Sequence, residues 1–205
     1  MTDKPAWLVA HGPPWTPGME RQVFETGWIT VTEQTAIAPT GRPSPYGMVK
    51  FKNLAVAVLP IHDDGTVTLV GQHRFPFMAY SWELPEGGAP MGEDPLEGAK
   101  RELAEETGLM AAEWREILQA QLSNSVTDER MVGYLATGLS PVAGAEHTAD
   151  ETEAIALVRV PFHEALEAAV AGHLPDMLTV AMLLRGHHMA VKGSLPGALA
   201  RAMLG

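Results

Sequence analysis

The chain has 205 residues, a length that suits one full domain with an appendage or two small domains. Its 14 Lys and Arg residues against 25 Asp and Glu residues give a formal net charge of -11, which disfavours polymeric nucleic acid and anionic membranes as partners. The absence of cysteine excludes disulfides, zinc thiolates, iron–sulfur clusters and thiol nucleophiles, so we expect a cytoplasmic protein. No apolar run approaches the about 20 residues of a membrane span, and the N-terminal residues lack the pattern of a signal peptide.

The first 50 residues predict a small extension that is rich in strand. Residues 1–22 contain four prolines and few periodic apolar positions, so they predict an irregular arm. Residues 26–38 are rich in Thr, Ile and Val and predict a strand, which ends at the Pro- and Gly-containing segment 39–43. We therefore expect residues 1–50 to form an arm and β extension, and residues 51–205 to form the main domain.

The main domain interleaves strands with helices. Residues 54–59 and 66–70 are β-rich and flank an Asp-Gly pair at positions 64 and 65, which predicts a β-hairpin. Interleaved elements of this kind predict an α+β or mixed α/β domain. The other predicted elements are strands over 116–122, 130–136 and 155–160, and helices over 162–171 and 176–188.

A helix with well-defined ends is predicted between Asp94 and Gly108. Asp94 is a favourable N-cap, Pro95 suits the first helical position, and Glu97 stands where a capping box places its acidic residue. Gly108 suits the left-handed residue that ends a helix. The expected buried stripe of this helix consists of Leu96, Ala99, Leu103 and Ala104.

Three carboxylates, those of Glu102, Glu105 and Glu106, share the other side of this helix at spacings of three and four. Like charges at these spacings destabilise a helix by a few tenths of a kcal/mol per pair. Arg101, four residues before Glu105, can offset one of them. The remaining charge favours a bound cation, and carboxylate oxygens without sulfur or clustered imidazole favour Mg²⁺ or Mn²⁺. The alternative is an acidic helix face that is simply solvated.

These residues belong to an ordered motif that makes the solvated face the weaker interpretation. The chain matches Gly-x5-Glu-x7-Arg-Glu-U-x-Glu-Glu-x-Gly-U, where U is a bulky aliphatic residue, at every specified position from Gly87 to Leu109. Glycines at 87, 88 and 92 would let the loop before the helix approach a ligand closely. The motif resembles that of the Nudix hydrolase family. The resemblance implies an α/β/α sandwich with a mixed sheet, to which the N-terminal extension is added.

The resemblance also implies metal-dependent catalysis at this helix. The Mg²⁺ or Mn²⁺ ligands would be the side chains of Glu102 and Glu106 and the main-chain carbonyl of Glu86. Such ions neutralise a pyrophosphate and lower the pKa of an attacking water. The motif residues that would support or orient these ligands are Glu93, Arg101 and Glu105.

A second acidic cluster, at residues 147–153, directly precedes the apolar run 155–160. A short acidic loop before a strand is usually just solvated. In the ADP-ribose pyrophosphatase branch of the family, however, a loop at this place that ends in Glu-x-Glu supplies a catalytic glutamate and a further metal ligand. The resemblance therefore implies that Glu151 is the general base and Glu153 the additional ligand, with the reverse assignment left open.

Two stretches before the motif resemble the same branch and would line its substrate pocket. The first is Gln72-His73-Arg74, in which Arg74 could pair with a phosphate through two hydrogen bonds. The second contains Trp82, which, like Tyr80, could lie beside a base or sugar. The expected substrate contacts are Arg74, Trp82, Glu83, Trp28 and Asn124.

The resemblance implies hydrolysis of the pyrophosphate of a nucleoside diphosphate sugar, with ADP-ribose as the first candidate. ADP-ribose pyrophosphatases usually carry a proline beyond the motif where this chain has Asn124-Ser125, so GDP-mannose or another hexose nucleotide is the alternative. A Nudix-like nucleotide-binding sensor is the non-enzymatic alternative, although none of the three carboxylates is missing. Dinucleoside polyphosphates, coenzyme A and oxidised nucleoside triphosphates are disfavoured because no additional basic cluster accompanies the motif. We expect a homodimer, because a 50-residue extension is too small to bury a core alone.

Overall fold

The structure, a computed structural model, describes residues 4–143 and 154–205. Within those two ranges, no helix is both long and apolar enough to cross a lipid bilayer. The strands are β1 (Arg21–Glu25), β2 (Ile29–Ile37), β3 (Pro43–Phe51), β4 (Asn53–Pro60), β5 (Thr66–Arg74), β6 (Ala79–Glu83), β7 (Glu86–Pro90), β8 (Leu109–Gln121), β9 (Arg130–Pro141) and β10 (Ala156–Pro161). The helices are α1 (Pro95–Thr107), α2 (Phe162–Val170), α3 (Met177–Val191) and α4 (Gly197–Leu204), and a short 3₁₀ helix spans Phe75–Phe77.

The chain divides into two compact units. The first consists of the N-terminal residues through Lys52 together with Ser123–Asp128, and the second of Asn53–Leu122 and Glu129–Gly205. Strands β1 to β3 form an antiparallel sheet in the first unit, with β2 in the centre. The segment Ser123–Asp128 is bound to β3, since the Val49 amide donates to the Val126 carbonyl at 2.9 Å. Segments distant in the sequence therefore build this unit together.

The first unit differs from the sequence prediction in two ways. Strand β1 begins at Arg21, inside the segment 1–22 that was predicted to be irregular. Strand β3 was not predicted, because Pro43 and Pro45 argue against a strand. The strand tolerates them because it lies at the edge of its sheet, where a missing amide donor need not interrupt a ladder.

Strand β4 is the centre of the second unit. It pairs antiparallel with β7 and parallel with β9, in a mixed sheet of order β7-β4-β9-β8. Its side chains alternate between two hydrophobic cores. Val56 and Val58 pack in a core with Leu103 of α1, whereas Ala57 and Leu59 pack in a core that contains residues of α2 and α3. Helices thus cover both faces of this sheet, which confirms the predicted α/β/α sandwich.

The hairpin predicted between β4 and β5 is wrong beyond its turn. The turn forms, since the Gly65 amide donates to the His62 carbonyl at 2.9 Å and Gly65 has a φ of +79°. The two strands then separate, because β4 is enclosed by β7 and β9 while β5 is enclosed by β10 and β6 in a second sheet. One bridge, between Ile61 and Val67, joins them directly.

The remaining predicted elements are formed, with shifted ends. Strands β8 and β9 are longer than predicted, and β10 begins at Ala156. Helices α2 and α3 occupy the predicted segments, and the carboxylate of Asp176 caps α3 by accepting from the Thr179 amide at 2.7 Å. Helix α4 was not predicted; it is two turns long and follows directly on Pro196.

Candidate active site

The helix that carries the motif has the ends predicted for it. The carboxylate of Asp94 accepts from the Leu96 amide at 3.0 Å, and Pro95 is the first helical residue. Gly108 adopts the left-handed conformation and its amide donates to the Ala104 carbonyl at 2.9 Å. The capping-box role expected for Glu97 is not seen, because its carboxylate pairs with Lys100 at 2.7 Å. The position of α1 is therefore set by its two ends and by its packing.

The three motif carboxylates occupy different environments rather than one common solvated face. Glu106 is only 5% exposed, whereas the side chains of Glu102 and Glu105 are 13% and 41% exposed. Ala99 and Leu103, on the buried side of the helix, are fully enclosed as predicted. The three carboxylates therefore lie at different depths, from Glu105 near the surface to Glu106 in the interior of the unit.

The carboxylate of Glu106 connects α1 to the first residue of β7. It accepts a hydrogen bond from the Glu86 amide at 2.9 Å. In the β4–β7 ladder the Val58 amide donates to the Pro85 carbonyl, so the amide and carbonyl of Glu86, one residue later, both point away from β4. The main-chain carbonyl of Glu86 therefore points to the side on which the Glu106 carboxylate lies. Both groups would have to face the same side to bind one metal ion.

Gly87 provides the space in which the Glu102 carboxylate lies. A Cβ atom at this position would be 2.2 Å from Cδ of Glu102 and 2.4 Å from both carboxylate oxygens. No real side chain could be accommodated at that distance without displacing Glu102. The first glycine of the motif is therefore explained by close approach of a carboxylate to the backbone of β7.

The guanidinium of Arg101 contacts the other acidic motif residues, Glu93, Glu102 and Glu105. Nη1 donates to Glu102 at 2.8 Å and to Glu105 at 3.3 Å. Nη2 donates to the Gly88 carbonyl at 2.9 Å and lies 3.6 Å from the carboxylate of Glu93. A single cation thus orients three acidic side chains against the backbone of β7, and the structure brings together the residues that the motif predicted.

A second arginine organises the acidic groups that come before the motif. Nε and Nη2 of Arg74 donate to Glu83, with the Nε bonds at 3.0 and 3.2 Å, and Nη2 also donates to Glu86 at 2.9 Å. Arg74 ends β5, Glu83 ends β6 and Glu86 begins β7, so the three elements converge here. Among the described residues, Nη1 of Arg74 has no hydrogen-bond partner.

The side chain of Glu86 belongs to the site, although the motif pointed only to its carbonyl. Burial, followed by the negative charges of Asp176 and Glu83, holds the pKa of the Glu86 carboxyl well above its usual range, although Arg74 acts in the opposite direction. Its Oε2 atom is buried and has no hydrogen-bond partner among the described residues. This buried carboxylate, with one paired and one unpaired oxygen, could not be found by sequence reasoning, because its neighbours come from distant segments.

The chemistry of this cluster fits a hard divalent cation. Its donors are carboxylate and carbonyl oxygens, the ligands that Mg²⁺ and Mn²⁺ prefer. The orphaned oxygen of Glu86 and the space over Gly87 lie on the same strand. In the part of the chain that the structure describes, no three His, Asp or Glu side chains already converge as a complete metal site. Arg101 holds Glu102 and Glu105, and Arg74 holds Glu86.

The predicted substrate contacts fall in both units. In the second unit, the ring of Trp82 packs edge to face on Tyr80 at 5.7 Å, next to Gly71, where a Cβ atom would be 2.7 Å from Trp82. In the first unit, Trp28 is 70% exposed and Asn124 is exposed in the segment bound to β3. The predicted base Glu151 and ligand Glu153 lie outside the described residues.

Comparison with known proteins agrees with this arrangement. The family model for the NUDIX domain matches residues 51–179. The ADP-ribose pyrophosphatase of Mycobacterium tuberculosis is 33% identical over 134 residues, 65% of this chain and 64% of that enzyme, so the match spans slightly less than two thirds of its length. The ADP-ribose pyrophosphatase of Bacillus subtilis is 32% identical over 160 residues, 78% of this chain and 85% of that enzyme.

A solved structure shows the same fold. The crystal structure of an ADP compounds hydrolase superposes with a TM-score of 0.78 at 21% identity, covering 91% of this chain and 100% of that one. The fold and the motif together define a hydrolase of the Nudix type. The chain belongs to the Nudix family. Its curated relatives include enzymes named ADP-ribose pyrophosphatases.

We expect Gly87→Ala to displace the Glu102 carboxylate and to lower the hydrolytic kcat/KM by about ten-fold or more, because the new methyl group would occupy its position. Gly88→Ala is the matched control. Its Cβ would lie 2.9 Å from Nδ2, 3.2 Å from Cβ and 3.3 Å from Cγ of Asn53, a side chain outside the motif, and would not enter the space of the Glu102 carboxylate. Steady-state kinetics of both variants, with melting temperatures to confirm folding, make the comparison. Equal losses in the two variants would contradict the assigned role of Gly87.

Proposed function

We propose that this protein hydrolyses the pyrophosphate of a nucleoside diphosphate sugar in a Mg²⁺-dependent reaction, with ADP-ribose as the first substrate. The products would be a nucleoside monophosphate and a sugar phosphate. The observation that carries the proposal is the complete carboxylate set of α1, held against β7 by Arg101 and Gly87. The relatives named ADP-ribose pyrophosphatases support the substrate class.

The proposed mechanism gives each group of the site one task. Glu102, Glu106 and the Glu86 carbonyl would hold the divalent ion, with Mn²⁺ as an alternative to Mg²⁺. When bound, the ion supplies positive charge that neutralises the pyrophosphate and makes a nearby water more acidic. Arg101 keeps its three carboxylates in place through the contacts described above. Glu105 and Glu93 thereby support the ligands rather than meet the substrate.

Substrate binding and proton transfer are proposed for residues around this centre. Nη1 of Arg74 would meet a phosphate, while its other nitrogens remain paired with Glu83 and Glu86. Trp82 would lie beside the base or sugar. Glu151 would take the proton of the attacking water, and Glu153 would add a ligand. The predicted substrate contacts of Glu83, Trp28 and Asn124 stay predictions.

Hexose nucleotides are the second candidate substrates. Asn124 and Ser125 stand where a proline would remove one amide donor and fix the loop. Their polar groups could serve a ribose, a hexose or a terminal phosphate, so we expect a tolerance broader than that of a strict ADP-ribose enzyme. A nucleotide-binding sensor remains the non-enzymatic alternative.

We expect Glu106→Gln to lower kcat by about 100-fold or more with the fold intact, because it removes a charged ligand that acts mainly in the transition state. Glu102→Gln should behave in the same way. The assay measures by chromatography the nucleoside monophosphate formed from ADP-ribose, ADP-glucose and GDP-mannose, with and without Mg²⁺. Glu97→Gln is the control, since Glu97 lies on the same helix but pairs with Lys100 at the surface.

The outcomes of this assay separate the alternatives. Wild-type turnover of Glu106→Gln at saturating Mg²⁺ would contradict the metal site. No cleavage of any of the three nucleotides by the wild type, together with nucleotide binding, would favour the sensor. A kcat/KM for ADP-ribose more than about 1,000-fold above both hexose nucleotides would show that the absent proline has no effect on tolerance.

For the proposed general base, we expect Glu151→Gln to lower kcat by about 10²- to 10⁴-fold with little change in KM, since a base acts on the chemical step. Glu153→Gln is the paired variant and should raise the Mg²⁺ concentration needed for half-maximal activity. Steady-state kinetics at several Mg²⁺ concentrations distinguish these effects. Should Glu153→Gln lose turnover while Glu151→Gln keeps it, the two roles are exchanged.

We also propose that the N-terminal extension, residues 1–50, mediates a homodimer. The sheet of the first unit encloses few side chains; all five residues of β1 are exposed, and Phe24 is 56% exposed. A sheet of three strands needs a further apolar surface to be stable. Light scattering at micromolar concentration should therefore give the mass of a dimer, and a monomer at that concentration would remove this proposal.

A further inference from the structure

The chain passes from one sheet of the second unit to the other directly before the metal site. The ladder between β5 and β6 ends with the pair Val70 and Glu83, and the ladder between β4 and β7 begins with the pair Ala57 and Glu86. Leu84 and Pro85 lie between the two ladders. Leu84 therefore pairs with no strand, and Pro85 is joined to β4 only through its carbonyl, although the residues on both sides belong to the site.

The backbone of this crossing is held by one side chain from a distant helix. The Leu84 amide donates to the hydroxyl of Thr179 at 2.8 Å, a hydrogen bond that is buried and joins residues 95 positions apart. Pro85 has no amide hydrogen, and its carbonyl accepts from the Val58 amide at 2.9 Å. The Leu84 amide is thus the one main-chain donor that this two-residue crossing offers, and Thr179 receives it.

Thr179 is itself fixed in position. It lies in the first turn of α3, is 0% exposed, and its amide donates to the capping carboxylate of Asp176 at 2.7 Å. Leu84 is also 0% exposed and packs in the core that contains α3 residues such as Leu183. Packing therefore holds both partners of the hydrogen bond in place. The bond in turn fixes the position of the Leu84 backbone relative to the start of α3.

The groups on either side of the crossing are those that the site uses. Glu83 precedes it and binds Arg74, while Glu86 follows it and presents its amide to Glu106. A shift of Leu84 would therefore move the Glu86 carbonyl relative to Glu106.

We propose that Thr179 is a positioning residue of the metal site, whose hydroxyl fixes the Leu84–Pro85 crossing and with it the orientation of the Glu86 backbone toward Glu106. In this proposal Thr179 contacts neither metal nor substrate. The proposal rests on the proposed function in one respect, that Glu86 and Glu106 are metal ligands. Its residue type is explained by the buried Leu84 amide, which a valine of the same shape would leave without an acceptor.

The test compares Thr179→Val with Thr179→Ser, because valine keeps the shape and removes the hydroxyl while serine keeps the hydroxyl. Mn²⁺ is titrated calorimetrically into the metal-free protein without substrate. We expect Thr179→Val to bind Mn²⁺ about ten-fold more weakly and Thr179→Ser to bind it as the wild type does. In parallel, the Mg²⁺ concentration for half-maximal hydrolysis should rise for Thr179→Val, while KM for ADP-ribose at saturating Mg²⁺ changes little.

A packing control separates positioning from general loss of stability. Leu183→Val alters a fully buried side chain one turn further along α3 and should lower the melting temperature without weakening Mn²⁺ binding. If Thr179→Val does not fold, Thr179→Ala and Thr179→Ser replace the pair, because they differ by the hydroxyl alone.

The outcomes distinguish this inference from the proposed function. Equal Mn²⁺ affinity of Thr179→Val and the wild type overturns the inference, as does equal weakening by Leu183→Val. A wild type that binds Mn²⁺ but cleaves no nucleoside diphosphate sugar overturns the proposed substrate and leaves the Thr179 comparison valid. A wild type that does not bind Mn²⁺ overturns the metal site and the inference with it.

Discussion

The concentration of negative charge beside one edge strand is the constraint on which the rest of the second unit depends. Glu83 and Glu106 are 3% and 5% exposed, and a carboxylate removed from water costs several kcal/mol unless it is paired. Arg74 meets this requirement for Glu83, and the Glu86 amide meets part of it for Glu106, while Arg101 pairs with the more exposed Glu102 and Glu105. The ends of β5, β6 and β7 and the whole of α1 are consequently placed so that two guanidinium groups reach these acids.

The edge position of β7 makes this arrangement possible. A strand in the middle of a sheet uses its amides and carbonyls on both sides, whereas β7 pairs only with β4 within its sheet. The amide of Glu86 and the carbonyl of Gly88 are therefore free to meet Glu106 and Arg101. At an exposed edge these backbone groups would be free to pair with another chain. Here they form hydrogen bonds with side chains of α1, the helix that follows in the chain.

Local features were predictable from the sequence, and features that depend on distant partners were not. Asp94, Pro95 and Gly108 set the ends of α1 through contacts within four residues, so the sequence alone was sufficient. The wrong hairpin had a correct turn at Gly65, but the partners of β4 and β5 are chosen by burial and by strands far along the chain. The environment of Glu86 escaped prediction for the same reason, since Asp176 contributes to it from the start of α3.

The parallel pairing of β4 with β9 has a consequence for synthesis on the ribosome. Residues 53–60 reach their parallel partner only when residues 130–141 have been made, and β5 reaches β10 later still. A nascent chain that ends just after Gly108 already contains every acid of the motif helix, yet lacks the strand that completes the sheet beneath it. Such pairing across a long sequence separation slows folding.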